Sequence, residues 1–387
     1  MRNLTVGLND GKRIKIPSKM RYRHILLIGA SGTGKTSLIH NMLHQDSFHG
    51  NHAMIFVDPS GIESEKALGV IDPTRIIRYC SLETPISLNP LVRPFRNYMV
   101  YETLVNIIDQ AVQASTGQVK LTVGMRKSLK AALFQELEMK YPSLENVFKR
   151  IEEWHNRAKV KTEDMQSAMR LATRLNDLLS DAEDKRYGTN FREIICGGDS
   201  LDWDNFLENG HLLILNCHGM SRSQMLLLGN IVVQSLVSYY MNIKKEDYPP
   251  CALFIDELDN FVNEHLLYCM KYSRKYNLSV LLSHQDHTMI YTQFGKQLLN
   301  SILANAGTIL AFRVGFQEAT ILAKIFTEFS FIDIKDNEDY QLYARIGKDE
   351  YELKSLRPPY IDKEQIRQII QRQTPKKKVK VRFEWVK

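Results

Sequence analysis

Eight consecutive residues, Gly29-Ala30-Ser31-Gly32-Thr33-Gly34-Lys35-Thr36, satisfy the spacing G-x-x-x-x-G-K-[ST]. This is the composition of a loop that wraps a chain of phosphates. Glycines at 29, 32 and 34 remove side chains so that backbone N–H groups can approach an anion, and a helix starting near Lys35 turns its positive end toward it. Lys35 is then placed for the β- and γ-phosphates and the Thr36 hydroxyl for Mg²⁺, so residues 29–37, through Ser37, form the candidate ATP-binding segment. Such a loop needs a carboxylate on a neighbouring strand, and Ala252-Leu253-Phe254-Ile255-Asp256-Glu257 offers two after four apolar residues. Asp256 is the metal-side candidate, and Glu257 the candidate base that polarises an attacking water. Asp58-Pro59-Ser60-Gly61 also matches the D-x-x-G of GTPases, but no N-K-x-D guanine reader follows, so ATP with Mg²⁺ is the expected ligand.

These groups must be held by strands. Short apolar runs lie at His24–Gly29, His52–Asp58, His211–Cys217, Cys251–Asp256, Ser279–Ser283 and Thr308–Val314, unalternating as in strands buried on both faces of a parallel sheet. Helical stretches, among them Lys35–His44, Gln224–Met241 and Glu257–Tyr276, separate most of them, which predicts an α/β fold. From Asn97 to about Lys185 the alternation stops. Apolar residues there recur three and four apart in Val100–Ala114, Met125–Met139, Leu144–Arg157 and Glu163–Leu179, with Ser143 and Thr162 as N-caps. The expected organisation is the first part of an α/β core over 1–96, an all-helical insertion over 97–190, the rest of the core over 191–360, and a C-terminal helix and tail over 361–387. Gln341–Ile346 and Tyr351–Leu356 around Gly347-Lys348 read as a β-hairpin, and Tyr360–Arg372 as a last helix.

Composition sets the class. The 387 residues are 44% hydrophobic and 25% charged, which excludes a disordered or fibrous chain. Five cysteines without a C-x-x-C pair argue against a zinc ribbon or a secreted disulfide framework and for a reducing, cytoplasmic setting. No stretch has the continuous apolar character of a membrane span. The formal charge of +7 is concentrated at the ends: residues 1–24 carry seven basic side chains against Asp10, and residues 375–387 carry six against Glu384. Such a distribution suits a protein that touches polyanions at defined surfaces.

Taken together the pieces resemble the HerA/FtsK superfamily of hexameric ATPases, most closely its TraG/TrwB-type conjugative coupling proteins and related HerA-like ATPases. The resemblance rests on the lead-in Arg23–Gly29, the D-P-x-G stretch at Asp58–Gly61, Asn89-Pro90-Leu91, Phe206–Cys217 and the Asp256-Glu257 pair. It continues through Tyr272–Gln285, Ile302–Thr308 and Phe312–Gly315. It implies a RecA-like P-loop core and a homohexamer with nucleotide sites at subunit interfaces. It also implies that Gln285 senses the γ-phosphate, and that Arg274, Arg313 or Arg23 reaches a neighbour's nucleotide. Only 28 residues precede Gly29, so neither the N-terminal barrel of HerA proteins nor the membrane helices of anchored coupling proteins is expected.

The function so implied is an ATP-driven, sequence-nonspecific DNA translocase serving conjugation, packaging or end processing, with a relaxase, nuclease, capsid or secretion partner. The competing reading is a regulatory ATPase ring that recruits a nuclease or other effector. Weaker features are His40, His44, His49 and His52, read as helix and loop histidines rather than metal ligands, and the tail Pro375–Val381, which superficially resembles a nuclear localisation signal. Phe383 and Trp385 follow it as potential anchors.

Overall fold

The computed structural model describes residues 1–91, 98–117, 119–157, 163–180, 190–197, 200–243, 248–261, 264–285 and 296–373. Thr162 and the basic tail, with Phe383 and Trp385, lie outside them. Eleven strands form one sheet: β1 (Leu4–Asn9), β2 (Lys12–Ile16), β3 (Ile25–Ile28), β4 (Ala53–Asp58), β5 (Ile77–Cys80), β6 (Leu212–Asn216), β7 (Cys251–Ile255), β8 (Leu278–His284), β9 (Thr308–Ala311), β10 (Gln341–Ile346) and β11 (Asp349–Lys354). Their order is β2-β1-β11-β10-β9-β3-β8-β7-β4-β6-β5. From β9 to β5 every pairing is parallel, and β10, β11, β1 and β2 extend the sheet antiparallel.

The six apolar runs of the sequence are β3, β4, β6, β7, β8 and β9, and every residue in them is buried. Strand β8 lies between β3 and β7, so the strand ending in His284 separates the phosphate loop from the carboxylate pair. Three strands, β1, β2 and β5, escaped the sequence reading. In β2 the basic Lys12, Arg13 and Lys15 are exposed, and β5, Ile-Arg-Tyr-Cys, is half exposed. Charge on β2 suits its position at the sheet edge, where it discourages pairing with another chain.

Two apolar layers cover the sheet. One contains the helices Lys35–His49, Ile62–Leu68 and Lys363–Gln373. The other contains Arg222–Asn242 together with the insertion helices Tyr98–Ser115, Val123–Leu137, Leu144–Arg157 and Glu163–Ser180. Helix Leu144–Arg157 is entered through Ser143, whose Oγ accepts from Asn146 N at 3.1 Å. The insertion rests on the core by packing Tyr98–Ser115 along Arg222–Asn242.

Two elements differ from expectation. The single helix predicted over Glu257–Tyr276 is a 3₁₀ turn (Leu258–Asn260), a helix (Glu264–Tyr272) and a second 3₁₀ turn (Ser273–Tyr276). Glu257 itself is left-handed, at φ 44° and ψ 59°, outside the right-handed region that every residue within an α-helix must adopt. The hairpin strand β11 begins at Asp349 rather than Tyr351, because Gly347, at φ 69°, and Lys348 suffice as a two-residue turn between Ile346 and Asp349.

Arg21 is not part of the basic surface. Its guanidinium is buried and grips both carboxylate oxygens of Asp46, one at 2.7 Å, on the last turns of helix Lys35–His49. Burial pushes the Asp46 carboxyl up, but Arg21 and His52 outweigh it and hold the group below the ordinary carboxylate range. Among the described residues no helix is long and apolar enough to cross a membrane.

Candidate active site

The carboxyl ends of β3, β8 and β7 open into one cavity of about 270 Å³ that collects Gly32, Gly34, Lys35, Thr36, Ser37, Asp256, Glu257 and Gln285. Register explains the convergence. Ile28 pairs with His284, and Ile255 pairs with Leu282, so the segments following the three strands leave the sheet side by side.

The loop after β3 is pinned from both sides. Phe312 N donates to Ile28 O at 2.8 Å, and Ala30 N donates to Arg313 O at 2.8 Å. Gly29 is obligatory here, since a Cβ at this position would lie 2.7 Å from Phe312 Cβ and 2.9 Å from Thr33 Oγ1. Gly34 has φ 118° and is the N-cap of helix Lys35–His49, with no side chain capping the first turn. The free N–H groups of that turn and the helix dipole therefore face the cavity, an arrangement suited to an anion.

Lys35 Nζ donates to Gly29 O at 2.6 Å and Ala30 O at 2.9 Å. Burial draws its pKa down, while Asp256 and Glu257 act in the opposite sense. The ammonium is thus held by the carbonyls of its own loop and feels the charge of the two acids. Thr36 lines the same cavity on the helix side.

Asp256 is buried at the end of β7 and accepts a hydrogen bond from Glu257 N at 3.0 Å. Burial raises its pKa, with the Ser283 hydroxyl and the Glu257 N–H working the other way. Glu257 is half-buried in its left-handed turn, which aims it into the cavity rather than along a helix. Its pKa is raised by burial first, then by Asp256, Asp58 and Asp259, with Lys35 opposing. A carboxylate held above its usual range is a better proton acceptor near neutral pH.

Asp58, at the end of β4, has a structural task. Its carboxylate accepts from Ser60 N at 3.0 Å, Ser60 Oγ at 2.8 Å and Ser64 N at 2.7 Å, closing the turn into helix Ile62–Leu68. The GTPase-like D-x-x-G is therefore a turn motif in this fold.

Gln285, exposed at the end of β8, lines the cavity opposite the phosphate loop. The three arginines stand apart from one another. Arg313 flanks its own phosphate loop and pairs with Asp339 at 2.9 Å. Arg23 lies at the amino end of β3, lining a separate cavity of about 260 Å³ with Arg345 and Gly307. Arg274 lies in the turn before β8, also at the amino end of the parallel strands, and its side chain is outside the described residues.

His24, next to Arg23, is buried at φ 63° and bridges β3 to two neighbours. Its Nε2 meets Met270 O at 2.7 Å and its Nδ1 accepts from Val280 N at 3.2 Å, which fixes a neutral tautomer with the pKa pushed down by burial to about 4. His40 and His44 contact backbone carbonyls, Glu63 O at 3.2 Å and Val70 O at 2.7 Å. Among the described residues no group of three or more His, Cys, Asp or Glu is arranged to hold a metal ion by itself. Sequence reasoning missed Glu63 and Tyr340, which belong to no motif, and gave no site role to Ser60 or Ser283, though both lie in stretches it singled out; all four complete the cavity wall.

Two family models match the chain. The Type IV secretion-system coupling protein DNA-binding domain covers residues 11–66, and the TraM recognition site of TraD and TraG covers residues 250–355. A search by sequence among curated proteins finds no match. Similar solved structures include the plasmid coupling protein TrwB with ADP and Mg²⁺, at TM-score 0.70 and 15% identity over 95% of this chain and 96% of that one. TrwB with the ATP analogue ADPNP superposes at TM-score 0.66 and 15% identity, over 94% and 91% of the two chains. VirB4 of Thermoanaerobacter pseudethanolicus superposes at TM-score 0.70 and 14% identity, over 92% and 96%. At these identities the structures establish a shared TrwB-like α/β fold, and the two models fall on the phosphate loop and on the segment from β7 to β11. The chain is thus similar to the TraG/TrwB-type coupling proteins over residues 11–66 and 250–355, and shares their fold over nearly its whole length.

Proposed function

We propose that the chain is an ATP-driven DNA translocase working as a homohexameric ring. The observation that carries this is one cavity joining Lys35 and the open helix turn, which bind phosphates, to Glu257, held left-handed with a raised pKa. Thr36 and Asp256 suit Mg²⁺, a hydroxyl and a carboxylate being enough for an ion that keeps most of its water, and the ion would neutralise charge on the phosphate oxygens. Lys35 transfers its hydrogen bonds from Gly29 and Ala30 to the phosphates. Glu257 orients the water and takes its proton, and the Gln285 amide, able both to donate and to accept, reports the γ-phosphate to the segment after β8.

Comparisons lend the substrate. TrwB is a conjugative coupling protein solved with ADP, ADPNP and the GTP analogue GDPNP, and the coupling-protein DNA-binding model covers this chain's phosphate loop. The match to the TraM recognition model supports a protein partner of the DNA-processing complex docking on residues 250–355. In a ring, the arginine that reaches a neighbour's nucleotide comes from Arg23 or Arg274, at the amino ends of the central strands, or from Arg313, whose pair with Asp339 beside its own site is half-exposed and readily exchanged.

The test is displacement of a protein roadblock from a DNA end by the purified chain. Directional, ATP-dependent displacement supports the motor. A ring that hydrolyses ATP yet leaves every roadblock in place is the nucleotide-controlled scaffold instead.

A further inference from the structure

The cavity accounts for phosphates but not for the rest of a nucleotide. At about 270 Å³ it is smaller than the about 300–1,000 Å³ of pockets that enclose a whole ligand, and serine, threonine, lysine and acidic side chains dominate its wall. A base must therefore find its surface at the rim.

That surface is Tyr340. It is the phenol ring in the lining among the described residues, and 49% of the residue is exposed. The ring stands over Gly34, where a Cβ would meet Tyr340 Cδ1 at 3.0 Å, while fully buried Phe312 fills the space beneath at 3.1 Å. Among the described residues the tyrosine hydroxyl has no hydrogen-bond partner.

The backbone at Tyr340 is left-handed, at φ 62°, which a bulky side chain adopts only when its surroundings enforce it. Here the enforcement is explicit. Tyr340 N donates to Thr33 O at 2.9 Å, and Tyr340 O accepts from Ser355 N at 2.7 Å. Asn337 Nδ2 holds Gln341 O at 2.9 Å, and Asp339 pairs with Arg313 on the other flank of the phosphate loop. The segment before β10 is thus clamped to the loop it overlooks, with a half-exposed aromatic ring presented beside Gly34. Glycine or asparagine would relieve the strain. A tyrosine there is explained by what its ring touches in use.

We propose that Tyr340 is the base-stacking residue of this site, holding the purine of a nucleoside triphosphate whose phosphates lie on Gly29–Thr36. The inference rests on the nucleotide reading above. Stacking on a ring face ignores the exocyclic groups of the base, so ATP and GTP should bind alike.

The experiment is equilibrium binding of ATP, GTP and inorganic tripolyphosphate, with Mg²⁺, to the full chain and to Tyr340→Ala, Tyr340→Gly, Tyr340→Phe and Tyr340→Trp. Expected is a loss of about tenfold in ATP and GTP affinity in the Ala and Gly variants, the scale of one base–aromatic stack, with tripolyphosphate unchanged. The Phe and Trp variants should bind ATP as the wild type does. The Gly variant relieves the strained backbone and the Trp variant keeps an aromatic face, so one misfolded substitution cannot mask the result. Parallel loss of tripolyphosphate would show the ring merely props the phosphate loop, and unchanged ATP affinity without the ring would equally overturn the proposal. A wild-type chain that binds neither ATP nor tripolyphosphate overturns the nucleotide reading itself, a distinct result.

Discussion

Glu257 shows how much one backbone angle decides. The left-handed turn at φ 44° interrupts what the sequence presents as a continuing helix, and it delivers the carboxylate to the cavity that holds Lys35. Burial and three neighbouring acids raise its pKa, so the residue becomes protonated at a higher pH than an ordinary glutamate. On the proposal that Glu257 is the base, which must be ionised to act, turnover should fall on acidification through that raised pKa, earlier than the usual carboxylate value of 4.5 would allow. Replacing Glu257 by Gln should remove this acid limb and lower turnover about 10²- to 10⁴-fold while leaving ATP bound. Initial rates against pH with a parallel binding assay check both halves. A variant that loses binding together with turnover would make Glu257 a structural acid. Asp58 carries the opposite lesson: its motif suggests chemistry, and its three hydrogen bonds show a turn closure.

Helix Lys35–His49 joins the site to the rest of the molecule. Its first turn faces the cavity, and near its end Asp46 holds Arg21 of the short segment linking the β1–β2 hairpin to β3. Asp46→Ala leaves a buried guanidinium without its partner and should cost about 3–5 kcal/mol of stability. The double change Arg21→Met with Asp46→Leu should recover most of it, as read by denaturant unfolding; equal losses in both variants would show that packing, not charge, is at stake. The ion pair was not legible in the sequence, where Arg21 is one of seven basic residues near the N-terminus. What was legible follows from local rules: apolar runs such as Cys251–Ile255, short and bounded by turn residues, read as buried strands, and helix periodicity located four helices, Tyr98–Ser115, Val123–Leu137, Leu144–Arg157 and Glu163–Ser180, to within about two residues at each end. Strands β2 and β5 were missed because an edge position lets charge replace apolar patterning. Tyr340 was missed because proximity across 306 positions to Gly34 leaves no local trace.

For the molecule as a whole, topology sets the order of parts: phosphate loop on β3, Gln285 on β8 and the carboxylates on β7, side by side at the carboxyl ends of three central strands. In the proposed ring, a neighbouring subunit would present the amino ends of its parallel strands, with Arg23 and Arg274, to this one. DNA held through its phosphates by basic side chains releases counterions, so any stimulation by DNA must weaken as salt rises. The direct measurement of the central claim is the ATP hydrolysis rate with and without single- and double-stranded DNA, at low and high salt, using Glu257→Gln as the inactive reference and mass in solution to verify the ring. DNA should raise turnover severalfold at low salt, less at high salt, and not at all in the variant. A ring-sized particle whose turnover ignores DNA at low salt would contradict the motor.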